Sequence, residues 1–241
     1  MLFRSYGINP KGGELYGRAL FPTLSAVGKP IDLAVIAIPA KLVIGIIEEC
    51  GRLGIDSVVI ISAGFKETGS EGAKLERQLA ETAKAAGIRI ISPNCLGIVV
   101  PGIGMNASFA AGMPKAGKVS RMSQSGALAT AILDWSYDKE LGFSKFVSFG
   151  NAVDVGVTDL LRAWEDDEDT KVILAYLEGV KDGPEFMRIS RQVTAKKPII
   201  VVKSGSTAAG ARAVSSHTGS LAGAEQAYDA AFRQCGIMRV S

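Results

Sequence analysis

The sequence predicts an α/β protein built as two parallel-sheet units in tandem, and three observations carry that expectation. Short apolar runs recur along the chain, each followed by a corner rich in Gly, Ser or Pro and then by a longer helix-like stretch. The runs are nearly continuous in Val and Ile instead of alternating with polar residues, which suits strands buried on both faces. Strand–helix alternation of this kind calls for parallel pairing through βαβ crossovers. Finally, residues 101–117 are rich in Gly, Ala and Pro without a clear period, and they divide the runs into two sets. The expected units are residues 1–108 and 117–241.

Taken in order, residues 3–8 read as a strand leading into the turn Asn9-Pro10-Lys11-Gly12-Gly13, where Lys11 can meet a phosphate. Nothing ahead of that strand supplies the first strand, Gly-rich loop and helix that lie at the centre of a doubly wound sheet. Either the chain is truncated there or another segment fills the gap, since strand edges would otherwise be exposed. Apolar runs follow at 33–38, 57–61 and 88–91, with helical stretches at 41–53 and 71–86 between them. In the second half the runs are 118–122, 145–149, 172–176 and 199–202, and the helical stretches are 127–140, 157–164, 184–195 and 222–234.

Composition narrows the classes. The 241 residues are 47% hydrophobic and 21% charged with a net charge of +3, enough apolar material for a sizeable core. That balance asks for neither nucleic acid nor a membrane surface, and suits anionic small molecules. Cys50, Cys95 and Cys235 are odd in number and widely spaced, so a reducing, cytoplasmic home is expected. The most hydrophobic stretch, 31–47, is interrupted by Pro39 and Lys41 and falls short of a membrane span. No cluster of metal-ligand spacing accompanies the single histidine, so no metal site is expected.

In open parallel sheets, ligands bind beyond the carboxyl ends of the strands. Four corners of the second half fall at such ends. Ser123, Gln124, Ser125 and Gly126 precede the helix at 127, where small residues and the helix dipole form either an anion seat or a plain serine cap. The segment from Lys203 to Ala224 is long and small-residue rich, and it holds His217 between Ser215, Ser216, Thr218 and Gly219. There His217 is either a structural histidine or an outward-reaching nucleophile. Glu178 follows the run at 172–176, where a carboxylate can orient an imidazole or stand solvated. Residues 150–154 form a turn of Asx or capping type. In the first half the corresponding corners carry Pro39, then Ser62-Ala63-Gly64, then Ser92-Pro93-Asn94-Cys95. Cys95 has no histidine in the same half to activate it and reads as a structural thiol.

Six stretches in order carry a resemblance: 9–13 (Asn-Pro-Lys-Gly-Gly), 32–40, 62–65 (Ser-Ala-Gly-Phe), 92–97 (Ser-Pro-Asn-Cys-Leu-Gly), 123–128 (Ser-Gln-Ser-Gly-Ala-Leu) and 216–223 (Ser-His-Thr-Gly-Ser-Leu-Ala-Gly). Together they resemble the NDP-forming acyl-CoA synthetases, the ADP-forming acetyl-CoA synthetases in particular, and their relative succinyl-CoA synthetase. The resemblance implies a Rossmann-like CoA-binding domain lacking its first βα unit, followed by a flavodoxin-like ligase domain. It places Lys11, Pro39, Ser62, Ala63 and Gly64 near the nucleotide part of coenzyme A, and Asn94 and Cys95 toward its reactive end. His217 matches the family's phosphohistidine and Glu178 the glutamate that orients it. Ser123, Gln124, Ser125, Gly126, Thr218 and Gly219 then surround the phosphate. The implied partner is an ATP-grasp subunit or domain, which brings ATP or ADP and Mg2+, in an oligomer. The rival expectation is a non-catalytic CoA- or nucleotide-sensing module of an acyltransferase-type protein, and a third is a degenerate remnant that only assembles with other chains.

Overall fold

The computed structural model describes residues 4–205 and 225–240. The front of the chain folds back on itself instead of forming the strand expected at 3–8. Ile8 makes a single bridge to Phe21, and a Cβ on Gly7 would stand 2.4 Å from the Leu20 side chain. Pro10 has no N–H to extend a ladder, and the chain turns there into a small hairpin of β1 (Glu14–Leu15) and β2 (Arg18–Ala19). Tyr16 and Gly17 form its tip with φ of 51° and 74°, the left-handed pair that matches strand twist.

The first sheet is parallel, in the order β3 (Ala34–Ile36), β4 (Ser57–Ile60), β5 (Arg89–Ile91). Its crossovers are α1 (Ala40–Arg52) and α2 (Ser70–Ala85). Val43, Ile47 and Cys50 recur at helical spacing and bury one face of α1 against Ile36, Val58, Ile60 and Ile90. Among the described residues β3 is an edge strand, and Val35 on it is 45% exposed.

The second sheet runs in the order β12-β11-β10-β8-β9-β6-β7. Its parallel part comprises β8 (Ala116–Ser123), β9 (Phe143–Ser148), β10 (Val172–Leu177), β11 (Ile199–Lys203) and β12 (Met238–Val240). Counted from β8, the spatial order of these five is 2-1-3-4-5, the flavodoxin-like winding. The helices are α3 (Gly126–Asp138), α4 (Val157–Glu165), α5 (Gly183–Thr194) and α6 (Glu225–Gln234). On one face Met122, Ile173, Leu177 and Val201 pack with Leu161, Trp164, Phe186, Val193 and Phe232 into the largest core cluster.

Strands β6 (Gly97–Val100) and β7 (Met105–Ser108) belong to the stretch expected in the first unit, yet they extend the second sheet antiparallel from β9. Leu96 and Val99 explain the attachment, because they bury against Ala129, Leu133, Phe143 and Phe146. No helix among the described residues is long and apolar enough to cross a membrane.

Candidate functional site

In this winding the crossovers leave β8 in opposite directions, so a crevice opens between the carboxyl ends of β8 and β10. The corners predicted at Ser123 and Glu178 meet there. Ser125 caps α3, its Oγ accepting from the Leu128 N–H at 3.3 Å, and the buried Ser123 Oγ donates to the Ser125 carbonyl at 2.8 Å. Gln124 reaches across the crevice. Its Oε1 accepts from the backbone N–H of Glu178 at 2.5 Å and of Gly179 at 3.1 Å, while its own N–H donates to the Tyr176 carbonyl. Gly126 opens α3 beside the segment that enters β6, where a Cβ on it would stand 3.7 Å from the Leu96 nitrogen. Both a serine cap and the amino end of a 13-residue helix are thus present at one place, and a helix start of this kind favours an anion.

Two residues of this edge were not singled out from the sequence. Lys203, the last residue of β11, is only 5% exposed and sits opposite Leu177 in the ladder. Its Nζ donates to the Ser204 carbonyl at 2.5 Å and lies 4.7 Å from the ring centroid of Tyr228 on α6. The Tyr228 hydroxyl in turn accepts from the Val180 N–H at 3.3 Å. A lysine ending an otherwise apolar strand was the available signal; Tyr228 offered none, because an aromatic on an amphipathic helix reads as core. His217, Thr218 and Gly219 lie outside the described residues, which stop at Gly205 just after β11 and resume at Glu225, the start of α6.

The fourth corner of the second sheet, 150–154, packs on the first unit. Gly150 adopts φ 41°, and a Cβ there would meet the Asn94 carbonyl oxygen at 2.1 Å. Asn151 is buried, and its Nδ2 donates to Glu67 Oε2 and Glu76 Oε2, both at 2.7 Å. Its carbonyl accepts from Lys66 Nζ at 2.6 Å, and its Oδ1 from Asn94 Nδ2 at 3.3 Å. Burial pushes the Glu67 carboxyl up, but hydrogen bonds from Asn151 and from the N–H groups of Gly64 and Phe65 outweigh it and hold the group below its usual range. Lys181 donates to the Ala152 carbonyl, and burial together with the nearby Lys66 lowers its pKa.

The corners of the first sheet gather beside this network. Ser62 Oγ accepts from the Ile38 N–H at 3.0 Å and donates to the Ile38 carbonyl at 2.5 Å, tying β3's end to β4's. The Asn94 N–H donates to the Ser62 carbonyl at 3.0 Å, which adds the end of β5. Gly64 takes φ 109° against Ala40, and its N–H is held by Glu67 Oε1 at 2.6 Å. Pro39 and Ala63 are exposed at the same edge, whereas Lys11 is exposed in the front turn. Cys95 is buried and donates weakly to the Ile60 carbonyl; burial pushes its thiol up to about 11, so it is protonated at neutral pH. Among the described residues no group of carboxylate, cysteine and histidine side chains could hold a metal ion.

Residues 116–241 match the family model of the succinyl-CoA ligase like flavodoxin domain, and residues 3–101 that of a CoA binding domain. An ADP-forming acetate–CoA ligase of Archaeoglobus fulgidus is 48% identical over 236 residues, which is 98% of this chain and 34% of that protein. The α subunit of an ADP-forming acetate–CoA ligase of Pyrococcus furiosus is 46% identical over 238 residues, 97% of this chain and 52% of that one. Among solved structures, an acetyl-coenzyme A synthetase of Ca. Korarchaeum cryptofilum, in complex with phosphate and ADP, superposes with a TM-score of 0.93 at 40% identity over 98% of this chain and 51% of that chain. The chain therefore spans between a third and about half the length of these relatives.

Proposed function

This chain belongs to the family of NDP-forming acyl-CoA synthetases, and from that premise we propose that it is the part that converts acyl-CoA and phosphate to acyl phosphate and carries the phosphoryl group on His217. The observation that carries the reading is the crevice between β8 and β10, where Gln124 ties the start of α3 to Glu178. Gly205 follows the carboxyl end of β11, the strand beside β10, and Glu225 opens α6, where it pairs with Arg239 of β12.

The reaction proceeds in two transfers. A phosphate oxygen attacks the thioester carbonyl and the thiolate of coenzyme A leaves, giving acyl phosphate. An imidazole nitrogen of His217 then attacks phosphorus, and the carboxylate departs. Glu178 holds the other ring nitrogen protonated. The backbone N–H groups that open α3, with Ser123, Gln124, Ser125 and Gly126 around them, take the charge on the phosphoryl oxygens, joined by Thr218 and Gly219. Coenzyme A is assigned to Lys11, Pro39, Ser62, Ala63 and Gly64, with Asn94 and Cys95 toward its reactive end. Leu96, two residues beyond Asn94, already abuts Gly126, which supports transfer between neighbouring corners.

We further assign a CoA-binding unit to 1–108 and a ligase unit to 117–241, an ATP-grasp partner that passes the phosphoryl group between His217 and ADP with Mg2+, an oligomeric assembly and a cytoplasmic location. The names of the two curated relatives support acetyl-CoA as the first acyl donor to try. The test is labelling. With acetyl-CoA and radioactive phosphate, the protein is expected to gain an acid-labile, alkali-stable phosphate that mass spectrometry maps to His217 and that His217→Asn lacks. No label on His217, even with an ATP-grasp partner and ATP supplied, overturns the enzymatic reading.

A further inference from the structure

Lys203 stands where a sheet of this winding places its ligands, but as a side chain it is nearly out of water. A buried ammonium is costly unless it is compensated. Other cations of the second unit have carboxylates, Lys145 pairing with Asp167 at 2.6 Å and Arg239 with both Glu225 and Asp229, although the buried Arg121 of β8 rests on the Phe146 ring. Among the described residues, what meets the Lys203 ammonium is a carbonyl and an aromatic face, neither of them charged. Burial and the positive Arg239 both lower its pKa, and the carboxylate that acts in the opposite sense is Glu178.

The surroundings of Lys203 hold that carboxylate's backbone rigidly. The successive N–H groups of Glu178, Gly179 and Val180 are taken by Gln124 Oε1 and by the Tyr228 hydroxyl. Tyr228 is the ring on which the ammonium rests, and Ser204, whose carbonyl accepts its hydrogen bond, donates its N–H to the Leu177 carbonyl. An orienting carboxylate is useful only when held to a fraction of an ångström, and such precision comes from the groups behind it.

We propose that Lys203 is a positioning residue for phosphoryl transfer, its buried charge anchoring the Glu178 corner from beneath. The inference rests on the phosphohistidine reading above and deepens it: the cation is kept for the reaction, at a cost to stability.

The experiment uses the full chain with its ATP-grasp partner and compares wild type, Lys203→Met and Lys203→Arg. Methionine fills similar space without charge, and replacing an imperfectly paired buried charge by an apolar side chain is neutral or stabilising. Lys203→Met is therefore expected to keep or raise the thermal midpoint while slowing His217 phosphorylation by about tenfold or more at saturating acetyl-CoA. KM for acetyl-CoA stays unchanged, and Lys203→Arg recovers part of the rate. Should the methionine variant not fold, Lys203→Gln is judged by the same criteria. A rate within twofold of wild type overturns the proposal, as does a loss that follows an equal fall in thermal stability or appears only in KM. Absence of label on the wild-type protein sinks the phosphohistidine reading itself, whereas equal labelling of wild type and Lys203→Met sinks only the role of Lys203.

Discussion

Two clusters at strand ends, one where the units meet and one at the β8–β10 crevice, use polar residues in opposite ways. Where the units meet, the half-buried Glu67 and the buried Glu76 share the Asn151 amide, Lys66 closes the set, and Gly150 lets two backbones touch. Both carboxylates have donors there, and Lys66 faces Glu76. At the crevice, Gln124 and Tyr228 spend their polar atoms on holding three N–H groups in place, while a buried ammonium faces a carbonyl and a ring. A satisfied polar network rigidifies a joint, and perturbed charge at strand ends makes the crevice the candidate site.

That contrast breaks if the joint proves soft or the crevice proves merely structural. The largest effect is expected from Gly150→Ala, whose Cβ would stand 2.1 Å from the Asn94 carbonyl oxygen. Neither backbone can yield without separating the units, so a loss of about 4 kcal/mol in urea unfolding is expected. A loss below about 1 kcal/mol would show that the contact adjusts freely.

Asn151→Leu comes next, at about 2–3 kcal/mol, because it strands two carboxylates without their shared donor. The pH dependence sharpens the point. Glu67 titrates below its ordinary value of 4.5 in the folded protein. Its contribution is therefore complete above that value and is lost as pH falls through the lower folded one. Removing the Asn151 donor takes away one of the bonds that hold the folded pKa down and so raises it, and acid unfolding of the variant should begin at higher pH, as followed by circular dichroism. Unchanged acid midpoints would detach Glu67 from the joint.

Gln124→Ala should have the smallest effect on stability, about 1 kcal/mol, since it removes one acceptor at a partly exposed corner. Its signature lies in the ratio of effects: phosphorylation of His217 should fall by about tenfold at saturating acetyl-CoA although the fold survives. If labelling instead drops only in proportion to stability, the crevice is a joint like the other and the contrast collapses.

Much of the fold was legible before any coordinates. The helix expected at 157–164 is Val157–Glu165, and the strand expected at 172–176 is Val172–Leu177. Runs of Val and Ile and the small residues after them are local signals that hold whatever the rest of the chain does. The corners with Ser123 and Glu178 were legible in the same way, because parallel winding brings carboxyl ends to one edge. Assignment of 97–108 to the first unit was natural from chain order, yet β6 pairs with β9 and β7 with β6, since Leu96 and Val99 find their apolar partners on α3 and β9. Asn151 read as a turn former, and nothing nearby in sequence announced Glu67 and Glu76 as its partners, 84 and 75 residues away.

The sequence by itself determined the alternation of strands and helices, the corners that end them and the family they resemble, because periodicity and turn chemistry act over a few residues. Only the tertiary structure decided which corners share a cluster, that Gln124 clasps Glu178, and that Lys203 lies buried under that corner against Tyr228. Sheet order and burial join residues dozens of positions apart, and those are set by packing of the whole chain rather than by any local pattern.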